Sequence, residues 1–256
     1  MTTESLDLPT KGLRIQHSGP VLHAQLASPE TGNALTSALL DDLLALLAAI
    51  REQPDIRVLV LSGEGDDFCV GADRAEFTDA LAADPGGARL RVLADKARQV
   101  CEALETAAPV TIARLHGKVI GAGLALAVFC DLRVGADNCR FRMPEVALGM
   151  PPAWGGALAR LMSEVGASRM RELVLTCDIF SATTAYELSL LHRVAPVEEL
   201  DEAVATLARP LLRRSGEALS VAKLMLAAHS RANHLVDGSL LDAHLLSSAY
   251  AARTRY

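Results

Sequence analysis

Two hydrophobic rhythms alternate along this chain. Short apolar runs are separated by longer stretches in which apolar residues return every three or four positions. Residues 13–17 and 20–27, around Ser18-Gly19-Pro20, predict a pair of strands joined as a hairpin. From Leu39 to Ile50 the apolar positions Leu39, Leu43, Leu46, Leu47 and Ile50 share one helical face, with Thr36 or Ser37 placed to cap it and Pro54 to end it. Arg57 to Ser62 is continuously apolar after its first residue, as in a strand buried on both faces. A short helix is expected over 74–83. The breaker cluster from Ala82 to Ala88 follows as a mobile loop, then an amphipathic helix over 88–106. Further strands fall at 110–115, 131–135 and 139–142. A proline- and glycine-rich loop spans 143–156, with helices at 157–164, 167–176 and 181–188. A last strand at 192–197 precedes helices at 198–213, 216–229 and 235–252. Strand–helix alternation predicts an α/β layout with a parallel sheet and a helical C-terminal part. The chain shows neither an internal repeat nor a linker.

Composition narrows the function. The chain has 256 residues, half of them hydrophobic, and 25 Lys+Arg against 31 Asp+Glu give a net charge of −6. That balance, with only 4% aromatic residues, argues against general nucleic-acid binding or base stacking. Charged residues such as Asp41, Asp42, Arg51 and Asp131 interrupt the most apolar stretches, so no membrane span is expected. The N-terminus lacks the basic start and apolar core of a secretory signal. Cys69, Cys101, Cys130, Cys139 and Cys177 are scattered and form no CxxC pair. The cysteines predict reduced thiols in a cytoplasmic protein and no metal site.

Candidate chemistry centres on Leu115 to Asp131. An apolar strand ends at Leu115, His116-Gly117 turns the chain, and Gly121-Ala122-Gly123 opens an apolar run read as a buried helix. A helix start presents unpaired N–H groups and partial positive charge, which suits an oxygen that becomes anionic during reaction. Close packing of helix on strand would also ask for small residues here.

Three motifs decide between these readings. Phe68-Cys-Val-Gly-Ala-Asp-Arg-Ala-Glu-Phe77 resembles the F-x-x-G-x-D-x-x-E motif of the crotonase superfamily, the enoyl-CoA hydratases and isomerases. His116 to Arg133 resembles its N-G-x-x-x-G-G-G-x-x-L-x-x-x-C-D-x-R motif. Phe141 to Gly156 resembles its F-x-x-P-E-x-x-x-G-x-x-P-x-x-G-G motif. The resemblance extends over about residues 12 to 230. It implies a spiral of ββα units in residues 1–195, and a helical C-terminal region, 196–256, that builds trimers or dimers of trimers. It also implies an acyl-CoA thioester substrate, with coenzyme A as part of the substrate and no separate cofactor. Position by position, the implied oxyanion-hole donors are the backbone N–H groups of Ala72 and Ala122. The implied substrate-binding residues are Cys69, Gly71, Asp73, Gly121 and Trp154. Read as residues alone, Asp73 is a helix cap, Cys69 a buried thiol and Asp131 structural. Arg74 and Arg114 are candidate phosphate partners.

One departure from the family pattern matters most. The hydratases it resembles use two glutamates to move the protons of water. One matches Glu145; the other position holds Ala125, which can carry no proton. A single carboxylate suffices to move a double bond, by taking a proton from carbon 2 and returning it to carbon 4. The expectation is therefore a 3-enoyl-CoA to 2-enoyl-CoA isomerase with Glu145 as acid and base. The alternatives are a hydratase, decarboxylase or hydrolase variant with another second group, or a catalytically silent acyl-CoA-binding protein. An apolar setting from Met143, Val146 and Trp154 would raise the Glu145 pKa. Glu76 reads first as a helix-surface carboxylate and second as a stand-in for the missing one.

Overall fold

The structure, a computed structural model, describes residues 8–233 and 239–253. The hairpin forms as strands β1 (Leu13–Ser18) and β2 (Val21–Leu26), paired antiparallel from Leu13↔Leu26 to Ser18↔Val21. Strand β3 (Val58–Gly63) lies parallel to β2, and every one of its residues is buried. Strands β4 (Val110–Leu115), β6 (Leu132–Ala136) and β9 (Arg193–Ala195) continue the parallel register and complete a six-stranded sheet in the order β1-β2-β3-β4-β6-β9. A second sheet holds three short strands, β5 (Lys118–Ile120), β7 (Arg140–Arg142) and β8 (Phe180–Ser181). Single bridges Leu35↔Ala72 and Cys69↔Val119 extend it. Each turn of the chain thus lays one strand in the large sheet, one extended segment in the small sheet, and then a helix. This is the expected spiral of ββα units.

The helices follow from caps and buried faces. Helix α1 (Ser37–Ala49) starts at Thr36, whose hydroxyl accepts the Leu39 N–H at 3.2 Å, and buries Leu39, Leu43, Leu46 and Leu47. Helix α2 (Arg74–Ala83) starts at Asp73, and helix α3 (Ala88–Glu105) buries Leu90, Leu93, Ala97, Val100 and Leu104. Between α2 and α3 the breaker cluster turns the chain, and Asp84 accepts the N–H groups of Gly86 and Arg89 at 3.1 Å. Helix α4 (Ala122–Val128) is buried along its whole length. Helices α5 (Ala157–Val165), α6 (Ala167–Thr176), α7 (Ala182–Glu187), α8 (Leu200–Leu212), α9 (Gly216–Asn233) and α10 (Ser239–Arg253) complete the chain. The first residues of the helix expected at 235–252 lie outside the described residues.

Two strands escaped the pattern of apolar positions. β5 and β8 are three and two residues long, too short to show an alternation. The C-terminal region also packs onto its own chain. Helix α10 packs on α3 of the same chain. Its Asp242 accepts the Gly156 N–H at 2.9 Å, and the Tyr250 hydroxyl meets that of Thr78 at 3.0 Å. All five cysteines are free and buried. No helix among the described residues is long and apolar enough to cross a membrane.

Candidate active site

Glycine geometry brings the second and third motifs together. Gly121 ends β5 with φ +51°, donates its N–H to Arg142 O at 2.9 Å and precedes the first residue of α4. A Cβ on Gly121 would lie 2.8 Å from Glu145 Oε1. The missing side chain is therefore the space in which the Glu145 carboxylate rests. Glu145 itself follows Pro144 and begins a 3-10 turn over Val146–Leu148, after which Met150 returns its N–H to Glu145 O at 2.8 Å.

The first motif supplies the facing wall. Leu35 clasps the loop on both sides of Ala72, donating to Gly71 O at 2.8 Å and accepting from Asp73 N at 3.0 Å. The Ala72 N–H between them has no acceptor among the described residues, and neither does the Ala122 N–H at the start of α4. The two loops are close: a Cβ on Gly71 would stand 3.7 Å from Ala122 N. Two free backbone donors thus border one space, one of them at a helix start where the local potential is positive. The far end of α4 is held by Arg133, whose guanidinium donates to Val128 O at 3.2 Å and Cys130 O at 3.0 Å.

That space is a cavity of about 890 Å³. Gly71, Ala72, Asp73, Gly121, Ala122, Glu145 and Trp154 all line it. Its apolar lining includes Phe77, Met150, Ala153, Trp154 and Leu246, all buried. Phe77 stacks on Trp154 with centroids 6.0 Å apart and meets Tyr250 edge-on at 5.8 Å. Leu246 belongs to α10 of the same chain. Nothing in its own sequence neighbourhood marks it, because its place depends on packing against segments more than a hundred residues away.

The carboxylates differ sharply in setting. Glu145 Oε2 is shielded from solvent and has no hydrogen-bond partner among the described residues. Burial holds its carboxyl above the ordinary carboxylate range. Asp73 spends one oxygen on the Ala75 and Glu76 N–H groups, at 2.8 and 3.1 Å, and so caps α2. Glu76 is not a stand-in for the missing carboxylate: it lies outside the cavity wall and accepts the Ser37 N–H at 2.8 Å. Asp131 is structural, bonded to Thr111 and paired with Lys223 at 2.7 Å. Ala125 is buried in α4 and off the cavity wall.

Cys69 sits behind the wall rather than on it. It is fully buried, its sulfur accepts the Gly71 N–H at 3.4 Å, and desolvation pushes its thiol up to about 12. Its contribution is to shape the Gly71–Ala72 turn. Of the two candidate phosphate partners, Arg74 lines the cavity while Arg114 is turned away and paired with Asp201 at 2.5 Å. No cluster of metal-ligating side chains occurs among the described residues.

Comparison with known proteins finds relatives along most of the chain. Residues 16–255 match the family model described as enoyl-CoA hydratase/isomerase. A crotonyl-CoA hydratase from Syntrophomonas wolfei is 34% identical over 198 residues, covering 76% of this chain and 73% of its own. An enoyl-CoA isomerase/hydratase from Mycosarcoma maydis is 32% identical over 216 residues, covering 81% and 77%. Among solved structures, a putative enoyl-CoA hydratase from Streptomyces coelicolor A3(2) superposes with a TM-score of 0.80 at 31% identity, covering 94% of this chain and 90% of the other.

Proposed function

The chain belongs to the enoyl-CoA hydratase/isomerase family, and on that premise we propose that it moves a double bond, converting 3-enoyl-CoA to 2-enoyl-CoA with Glu145 as the single acid and base. The thioester oxygen accepts the Ala72 and Ala122 N–H groups. Glu145 takes a proton from carbon 2, the electron pair spreads over the thioester as a dienolate, and the same carboxyl returns the proton to carbon 4. Atoms and charge balance without water. Negative charge builds on the oxygen between the two donors, and each such donor contributes on the order of 3 kcal/mol to the transition state. A carboxyl whose pKa is raised toward neutrality suits both halves of the transfer.

One observation carries this reading. The described cavity walls hold two carboxylates, Glu145 and Asp73, and Asp73 is engaged as a helix cap. Hydration needs a second group to hold water and move its proton, and an apolar residue fills the position of the family's other glutamate. A hydratase is the second reading, because most of the similar curated proteins are named hydratases. Assaying the purified protein with 3-hexenoyl-CoA and 2-hexenoyl-CoA separates the two. Isomerisation of the first without formation of a 3-hydroxyacyl product is expected; rapid hydration of the second would sink the one-carboxylate mechanism.

The same premise extends to assembly and compartment. Helix α9 exposes Val221, Leu224, Met225 and Leu226, an apolar face suited to subunit contacts in a trimer or a dimer of trimers. Sedimentation at several concentrations tests it, and a lone monomer would refute it. Five buried, unpaired thiols fit a reducing compartment such as the cytoplasm.

A further inference from the structure

Behind the cavity wall stands a buried polar residue that the proton chemistry leaves unused. Asn33 has no exposed surface, and its φ of +57° is a left-handed backbone uncommon outside glycine. Its neighbour Ala34 lines the cavity, while Asn33 itself is turned away from it. An unusual backbone held in place beside a reactive site points to a task at that site.

The amide of Asn33 is fully used. Its Oδ1 accepts the Ser28 N–H at 3.0 Å, and its Nδ2 donates to Glu64 O at 2.9 Å and to Asp67 O at 2.8 Å. One side chain thus joins the segment after β2 to the loop after β3, and that loop runs directly into Phe68 and Cys69. The main chain on either side of Asn33 continues the tie. Gly32 O accepts the Val70 N–H at 3.0 Å, and Leu35 grips Gly71 O and Asp73 N as described above. In such a parallel bridge the residue between the two rungs turns its own N–H to the opposite side, so the Ala72 N–H faces away from Leu35 and is left free. No other side chain of this length offers one acceptor and two donors while tolerating the left-handed backbone. A backbone donor stabilises developing charge only while its direction is held, and a misplacement of about 1 Å can cost about a hundredfold in rate.

We propose that Asn33 is a positioning residue of the reaction: its buried amide locks the 64–67 loop to the 32–35 segment and thereby aims the Ala72 N–H at the thioester oxygen. It touches no reacting atom. The assignment rests on the reading of Ala72 and Ala122 as the two oxygen donors, but not on which proton transfer Glu145 performs.

Two variants test it. Asn33→Gly keeps the left-handed backbone and removes all three side-chain bonds. Asn33→Asp keeps the shape and the Ser28 bond, removes the two donors, and serves should Asn33→Gly fail to fold. Kinetics use whichever hexenoyl-CoA isomer the unmodified protein turns over, below the melting temperature of each variant. Isotope-edited infrared spectra of bound hexanoyl-CoA, labelled with carbon-13 at the thioester carbonyl, supply a readout that loss of stability alone does not move. This saturated thioester has no double bond to shift or hydrate, and its carbonyl stretch falls when N–H donors grip the oxygen. In the folded variants kcat should fall by about tenfold to a hundredfold while KM changes by less than about threefold. The bound carbonyl frequency should rise toward that of the free thioester. An unaltered frequency or an unaltered kcat in the folded variants, whatever happens to Tm, reduces Asn33 to a structural residue and overturns the proposal. If the unmodified protein binds hexanoyl-CoA without lowering its carbonyl frequency, the two-donor reading falls and the positioning role falls with it.

Discussion

Glu145→Gln separates what the carboxylate does for chemistry from what it costs the fold. Among the described residues Glu145 Oε2 is buried without a hydrogen-bond partner, Oε1 lies against the bare backbone of Gly121, and no ion pair involves Glu145. Desolvation is the dominant cause of its raised pKa. The sign follows from linkage. Below the unfolded pKa of about 4.3 both states hold the proton and there is no penalty. As pH rises through the folded pKa the native state must ionise a dry group, so stability falls across that window and stays reduced above it. Each unit of elevation is worth about 1.4 kcal/mol. For a chain of this size that is roughly 3–6 °C in Tm. Glutamine does not titrate, so any fixed cost of burying its amide cancels in the pH dependence. The variant's Tm relative to the unmodified protein should therefore rise between pH 4 and pH 8, read by thermal melts at matched ionic strength. Turnover of 3-enoyl-CoA should meanwhile fall by about two to four orders of magnitude. A Tm difference that is flat across this range would refute the desolvated-carboxylate argument, and unchanged turnover would remove Glu145 from the reaction.

Three other substitutions probe the surroundings of the site. Gly121→Ala combines a positive φ, costing roughly 1–2 kcal/mol, with a Cβ in the place of the Glu145 carboxylate. It should lower kcat far more than it weakens thioester binding, and an equal loss in both would show that the loop merely unfolds. Ala125→Glu should introduce measurable hydration of 2-enoyl-CoA at some loss of stability, because the site is buried; a folded variant without hydration would reject the two-glutamate logic. Leu246→Ala should cost about 2–5 kcal/mol in denaturant melts and shift kcat/KM toward longer acyl chains. An unaltered chain-length profile would mean that α10 does not bound the acyl end.

The parts of this molecule visible in its sequence are those governed by local rules. Periodicity located α1 and α3, the caps Thr36 and Asp73 announced their helices, and continuous apolar runs marked β3 and β4. The site motifs were visible because a bare backbone at Gly121, a small residue at Ala122 and an acid at Glu145 each leave a mark at a fixed spacing. What stayed hidden depends on distant contacts. β5 and β8 exist only because neighbours supply their hydrogen bonds. Leu246 and Tyr250 reach the site by the docking of α10 on α3. Glu76 carried the right chemistry, and only the position of α1 shows that its carboxylate serves the Ser37 N–H.

The docking of α10 on its own chain has one more consequence. Within one chain, α10 places Leu246 on the wall of the same cavity that Glu145 lines, and is tied to its own chain through Gly156 and Thr78. In an assembly that keeps this docking, Leu246 and Glu145 of one cavity come from the same chain. Mixing intact chains with Glu145→Gln chains should then dilute activity in simple proportion, and two defective chains, one Glu145→Gln and one Leu246→Ala, should not rescue each other.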